Sequence, residues 1–90
     1  MLYLVVEHFH AGDPVPVYRR FRDRGRLAPD GLAYVASWVT TDLACCYQVM
    51  SCERRELLDA WLARWADLVD FEVHPVVSSA DAVAAVTPLL

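Results

Sequence analysis

The sequence lacks the long apolar run that a membrane-spanning helix needs. Its apolar segments are all interrupted well before the roughly 20 residues required to cross a bilayer. The first of them, Leu2 to Val6, is followed at once by Glu7 and His8, and it carries neither a basic leader nor a small-residue cleavage site. We therefore expect a β-strand here, and a cytoplasmic protein that does not span a membrane.

Paired cysteines and an excess of positive charge are also missing. Cysteine occurs three times, an odd number, and the neighbours Cys45 and Cys46 would point to opposite faces of a strand. A disulfide framework is therefore not expected, in keeping with a reducing cytoplasm. The net charge of −4 argues against a protein that binds nucleic acid by neutralising phosphates. The segment Cys45 to Met50 also lacks the basic-Gly-aromatic signature of RNA-recognition domains.

Apolar residues are what the sequence has in abundance. They form 57% of a chain of only 90 residues, which is short enough for a single core, so residues 1–90 are expected to be one domain. A domain of this size cannot easily bury so much apolar surface by itself. The surplus predicts a buried partner surface, and we expect a homodimer.

Periodicity predicts an α+β chain of βαββαβ order that ends in a short helix. Residues 53–67 repeat apolar side chains at three-and-four spacing, which is typical of an amphipathic helix. The predicted elements are a strand at 2–9, a helix at 14–25, a hairpin of strands 32–40 and 43–51 that turns at 41–42, a helix at 53–67, a strand at 69–77 and a short helix between Ser78 and Pro88. This order gives a ferredoxin-like sandwich with both main helices on one sheet face.

Four segments of the chain are similar to a known family. The first reads Tyr-Arg-Arg-Phe-Arg-Asp-Arg-Gly-Arg, and the four are Tyr18–Arg26, Tyr34–Val39, Cys46–Met50 and Trp61–Val73. Together they resemble the domain of unknown function 3303 family over nearly the whole chain. The resemblance implies a ferredoxin-like domain of the dimeric α/β-barrel type, but no established activity. Other dimeric barrels include cofactor-free monooxygenases, isomerases and haem-degrading enzymes, and none of their motifs is matched here.

Glu7 is a candidate functional residue because of its place in the first strand. It shares one side of that strand with Tyr3, Val5 and Phe9, which are apolar or aromatic. A carboxylate on such a surface would have a raised pKa and could act as a general base. The alternative is an outward-facing, hydrated Glu7.

The predicted hairpin carries three further candidates for ligand binding, Tyr34, Trp38 and Gln48. An amide among aromatic rings can orient a ligand in a mostly apolar pocket. Packing in the core or at a dimer interface explains the aromatic residues equally well. A shift of one residue in the hairpin would also reverse the face that each side chain takes.

Arg24 and Arg26, which flank Gly25, form a candidate anion site. Guanidinium groups bind oxyanions through paired hydrogen bonds, and glycine allows a close approach. The alternative is that these arginines are hydrated and complement the dipole at the end of the first helix.

Metal and cofactor sites are not predicted. His8 and His10 lie two residues apart on a strand and would need a third ligand such as His74 to bind zinc, but histidines at a strand end are usually hydrated. The cysteines have no Cys-x-x-Cys spacing. Trp61 and Trp65 are one helical turn apart on the apolar stripe, which favours packing in the core.

Two hypotheses of function follow. In the first, a homodimeric barrel binds a small apolar or weakly anionic molecule for cofactor-free oxidation or isomerisation, in a pocket lined by Glu7, Tyr34, Trp38 and Gln48. In the second, the domain is a non-catalytic dimerisation or regulatory binding module whose apolar sheet is covered by its partner. The sequence leaves open whether the protein is an enzyme.

Overall fold

The computed structural model describes residues 1–90 and has the predicted βαββαβ order with an added C-terminal helix. Short 3-10 turns at His10–Gly12 and Thr87–Leu89 supplement the main elements. These are β1 (Leu2–Phe9), α1 (Val15–Arg24), β2 (Ala33–Val39), β3 (Cys45–Ser51), α2 (Arg55–Ala63), β4 (Val69–Val76) and α3 (Ser79–Val86).

The four strands form one antiparallel sheet in the order β2-β3-β1-β4. β1 is therefore central and pairs along its length with both β3 and β4. Paired residues on neighbouring strands share a face of the sheet, so the register assigns each side chain to one of two faces. This strand order with helices on one side is the ferredoxin-like fold, as the sequence predicted.

The core lies between α1, α2 and the sheet face that we call the helix-side face, which is formed on β1 by Tyr3, Val5, Glu7 and Phe9. Its buried members come from β1, β3, β4, α1, α2 and the connecting segments, whereas β2 contributes only the partly buried Val39. Its buried apolar members are Tyr3, Val5, Phe9, Val17, Leu32, Cys46, Met50, Cys52, Leu58, Trp61, Trp65 and Val69. Glu7 and Gln48 are the only buried polar residues.

The main differences from the predicted boundaries are at the end of α2 and in the β2–β3 connection. α2 ends at Ala63 rather than at residue 67, although Trp65 in the following turn stays buried. The β2–β3 connection is also longer than the predicted turn at 41–42. The Asp42 carboxylate accepts hydrogen bonds from the Thr40 hydroxyl and the Ala44 amide, at 2.6 and 3.0 Å. These local bonds replace strand pairing and lengthen the loop.

The opposite side of the sheet, which we call the open face, is not covered by any helix. It carries the cross-strand row Trp38, Tyr47, Val6 and Glu72, next to the row Ala36, Val49, Leu4 and His74. Trp38 is 64% exposed and Tyr47 is 42% exposed. Much of the apolar part of this face is therefore left in contact with solvent, although Val6 is itself buried.

The C-terminal helix α3 packs against almost nothing. Ser78 caps it by accepting a hydrogen bond from the Asp81 amide at 3.0 Å, yet no residue of the helix is buried. Val83 and Leu89 are 65% and 82% exposed. None of the helices in the structure combines the length and the apolarity needed to cross a bilayer.

Candidate functional site

A cavity of about 150 Å³ lies between the helix-side face and the helices. Its wall is mainly apolar and partly aromatic, with a few polar groups from β1, β2, β3 and the segment after α1. The lining residues are Glu7, Phe9, Val17, Tyr18, Phe21, Arg26, Ser37, Val39, Cys46, Gln48, Trp61 and Trp65. Such a mixture of apolar surface with convergent polar groups is typical of small-molecule sites.

Glu7 lies in this wall because β1 is the central strand and odd-numbered residues of β1 face the helices. Its neighbours across the sheet are Cys46 and Phe71. The side chain is only 7% exposed, and its Oε2 atom is buried with no hydrogen-bond partner. Burying a carboxyl oxygen without a hydrogen-bond partner costs free energy. A ligand in the cavity that donates a hydrogen bond to this atom would remove that cost.

Burial raises the pKa of Glu7 from its ordinary value of 4.5 to about 7. A hydrogen bond with the Cys46 thiol and the positive charge of Arg26 act in the opposite direction but are smaller effects. Burial, followed by the negative charge of Glu7, also raises the pKa of Cys46, so this thiol stays protonated. A carboxyl group with a pKa near neutrality can both accept and return a proton.

Arg26 is held at the cavity by its backbone. Trp61 and Trp65, one turn apart, both donate indole N–H hydrogen bonds to its carbonyl oxygen, at 3.0 and 2.9 Å. The guanidinium lies 3.9 Å from the centre of the Tyr34 ring and 5.3 Å from that of Phe21. The two tryptophans, which the sequence predicted to be core residues, therefore also position the arginine.

The Arg26 side chain has few polar contacts. It donates one long hydrogen bond, 3.4 Å, from Nη1 to Oε1 of Gln48, whose amide nitrogen donates to the sulfur of Met50 at 3.1 Å. It forms no salt bridge with any carboxylate. Most of its hydrogen-bond donors are thus available to an oxyanion.

The structure brings together three of the six residues predicted to bind a ligand. Glu7, Gln48 and Arg26 line the cavity, and Tyr34 stacks on Arg26 and forms a 2.8 Å hydrogen bond with Ser37, which also lines it. Arg24 lies elsewhere, in a shallow surface concavity with Arg19 and Arg20. The structure therefore places Arg24 and Arg26 in different concavities.

Trp38 lies on the open face, away from the cavity. The cause is a bulge in β2 between Tyr34 and Ala36, which shifts the register with β3. In a regular strand, Tyr34 and Trp38 would share a face because they are four residues apart. The bulge leaves Tyr34 on the helix-side face and moves Trp38 to the opposite one, so the two rings are not parts of the same site.

Three polar or titratable residues of the cavity were not among those predicted to bind a ligand, namely Tyr18, Ser37 and Cys46. Burial raises the pKa of Tyr18, and the neighbouring acidic groups of Cys46 and Glu7 add to this effect. The signal that could have identified Cys46 is its two-residue spacing from Gln48 on one strand, which places both on the same face. Ser37 could not be assigned, because its face depends on the bulge.

The three histidines lie away from the cavity and are paired with acids. His8 and His74 both contact Glu72, at 3.0 and 3.5 Å, and His10 contacts Asp70 at 3.1 Å. No group of three or more histidine, cysteine or acidic side chains is placed to hold a metal ion. All three cysteines are free.

The fold and the cavity define a ferredoxin-like α+β domain with an acid and an arginine in a mostly apolar pocket. The chain belongs to the family described as domain of unknown function DUF3303, whose family model matches residues 1–90. No curated protein and no solved structure shows a significant match to it.

Proposed function

We propose that this domain binds a small, mostly apolar molecule with one polar or weakly anionic group in the cavity beside Glu7. The observation that carries the proposal is the buried Oε2 atom of Glu7, which has no partner in the protein and lies in the wall of the cavity. Buried polar atoms in folded proteins nearly always have a hydrogen-bond partner. A ligand in the cavity supplies the missing one.

The chemistry that this site supports is proton transfer without a bound cofactor. Glu7 can take a proton from the ligand, and Arg26 offers a positive charge to the anion that results. Removal of a proton is a first step both for isomerisation and for a cofactor-free oxidation. On this proposal the domain is an enzyme of one of these two kinds.

The second candidate is a non-catalytic dimerisation or regulatory binding module. The observation that favours it is the open face, where Trp38 and Tyr47 are exposed beside Leu4 and Val6. Exposed apolar patches of this kind mark interaction surfaces. A homodimer with two open faces in contact is compatible with both candidates, and the free cysteines fit a reducing compartment such as the cytoplasm.

The indole N–H signals of the three tryptophans offer a direct test by two-dimensional NMR. Trp61 and Trp65 line the cavity, whereas Trp38 lies on the open face and serves as an internal control. Titration with nitrobenzene and with 3-nitrophenol should shift the signals of Trp61 and Trp65 and leave that of Trp38 in place. If neither compound shifts them, or if only Trp38 responds, the cavity is not a binding site.

A further inference from the structure

We propose that the ligand of this cavity is a small monocyclic compound with an acidic hydroxyl group, a phenol or an enol, which gives its proton to Glu7 and leaves its oxyanion facing Arg26. This inference rests on the proposed function and adds the chemical class of the ligand. It is carried by the free polar atoms of the cavity, by their charges and by the size of the space.

The free carboxyl oxygen selects a hydroxyl group. Oε2 of Glu7 is buried and receives no hydrogen bond from the protein. A ligand without an O–H or N–H group would leave this oxygen without a hydrogen bond, which would weaken binding. A ligand carboxylate would place a second negative charge beside an ionised Glu7, which is unfavourable in a site of low dielectric constant. A neutral hydroxyl group satisfies the oxygen without adding charge.

Arg26 selects a hydroxyl group that is acidic. Its guanidinium is stacked between aromatic rings and lacks a carboxylate partner, so it can stabilise a negative charge that develops on the ligand oxygen. The other titratable groups around Glu7 are the thiol of Cys46 and the phenol of Tyr18, and both are neutral near pH 7 because their pKa values are raised. Arg26 is therefore the only positive charge at the site.

The space fits a single ring. A cavity of about 150 Å³ is comparable to one that holds benzene, so it has room for one ring with small substituents. Flat aromatic side chains, including Phe9, Trp61 and Trp65, form much of its wall. Rings prefer offset or edge-to-face contacts with such walls, which favours a flat, conjugated ligand over a branched aliphatic one.

The proton transfer is balanced within the site. The ligand O–H bond breaks, its proton forms a new O–H bond with the Glu7 carboxylate, and the electron pair stays on the ligand oxygen. The negative charge thus moves from Glu7 to the ligand, and the total charge of the site does not change. No oxidant, reductant or further reactant is needed for this step.

The test compares 3-nitrophenol with nitrobenzene, which has the same ring and nitro group but no hydroxyl. Binding is followed by quenching of tryptophan fluorescence at a pH just above the pKa of Glu7, where the carboxyl group is ionised and free 3-nitrophenol is mostly neutral. We expect 3-nitrophenol to bind about tenfold more tightly, because a hydrogen bond to a charged acceptor is among the stronger ones. Its bound form should also show the absorption of the phenolate.

Three variants assign these effects to residues. Glu7→Met keeps a similar volume but removes both oxygens, and it should abolish the preference for 3-nitrophenol and the phenolate absorption. Arg26→Gln should lose the phenolate absorption while the tryptophan bonds to the backbone of residue 26 remain. Arg24→Gln, which removes a neighbouring arginine outside the cavity, should behave as the unmodified protein does.

The outcomes distinguish a wrong ligand class from a cavity that binds no ligand at all. If nitrobenzene and 3-nitrophenol bind equally well, or if bound 3-nitrophenol stays neutral, the ligand class is wrong while the cavity remains a binding site. If the phenolate absorption persists in Glu7→Met, then Glu7 does not receive the proton. If neither compound binds the unmodified protein, the proposed function fails as well.

Discussion

At the scale of single residues, Glu7 is where the demands of stability and of chemistry conflict. A carboxyl group on the helix-side face of the central strand loses its hydration, and only the Cys46 thiol and the charge of Arg26 compensate in part. An apolar residue at this position would fill the core at a lower cost. Burial of the ionised Glu7 costs more than burial of its protonated form. The free energy of unfolding is therefore expected to depend on pH.

The first prediction concerns this pH dependence. Since burial raises the pKa of Glu7 from 4.5 to about 7, the unfolded chain loses this proton at a lower pH than the folded protein does. The contribution of Glu7 to the free energy of unfolding is thus largest below pH 4.5, falls as the pH rises to about 7, and is constant above that pH. The loss should be about 3 kcal/mol. Urea unfolding of the protein and of Glu7→Gln across this range measures it, as the difference between the two curves.

Glu72→Gln is a matched control for that measurement. Glu72 is an exposed acid on β4, and hydrogen bonds from His8 and then His74 lower its pKa. Its contribution therefore has the opposite sign, being present at neutral pH and lost as the pH falls through its lowered pKa. A difference between the unmodified protein and Glu7→Gln that stays flat from pH 4.5 to pH 7 would contradict the burial of an ionisable Glu7.

Regular alternation along β1 was sufficient to place Glu7 on the apolar side of that strand, but it left open whether this side is buried. The face of Gln48 was also left open, because it depends on the register of the hairpin. The face of Trp38 could not be predicted either, because it depends on a bulge that carries no Gly or Pro signal in the sequence. Arg24 and Arg26 were grouped into one site from the sequence, but Gly25 between them has a positive φ of 71°, and the chain turns there.

At the scale of elements, the periodicity of apolar residues predicted each helix and strand. It did not predict the hydrogen bonds that polar groups of their side chains form with distant segments. Trp61 and Trp65 were correctly placed on the buried stripe of α2 and the turn that follows it. Their indole N–H groups find their acceptor only once the segment after α1 has folded across them. A contact 35 or 39 residues distant in sequence leaves no local pattern.

The second prediction concerns this link between α2 and the Arg26 backbone. Trp61→Phe or Trp65→Phe removes one of two donors and should lower the free energy of unfolding by about 1–2 kcal/mol, from the lost hydrogen bond and the smaller ring. The double variant should lose more than the sum, because the carbonyl oxygen then has no donor at all. Urea unfolding measures all three variants.

Trp38→Phe is the control for the tryptophan series. Trp38 is on the open face and largely exposed, so this change should alter stability by less than about 0.5 kcal/mol in the isolated subunit. Strict additivity of the two buried substitutions would show that the shared carbonyl oxygen does not couple them.

At the scale of the whole molecule, two apolar surfaces are left without a partner in one chain. One is the open face, with Trp38 and Tyr47. The other is α3 and the residues after it, which contribute to a shape 48 Å long and only 17 Å thick. A twofold dimer brings the same patch of each subunit together, so the open face can be covered by its own copy. Exposed Val83 and Leu89 are then available to pack on the partner.

The last prediction tests this assembly by sedimentation equilibrium. Tyr47→Asp places a charge near the middle of the open face, opposite Val6, and should weaken the dimer at least tenfold because the charge would be buried without a partner. Ala60→Asp adds the same charge at an exposed site on α2 and should leave association unchanged. Val83→Asp should weaken the dimer if α3 packs on the partner. An unmodified protein that stays monomeric at micromolar concentration would refute the proposed homodimer, whereas the cavity beside Glu7, formed within one chain, would still be open to the test with 3-nitrophenol.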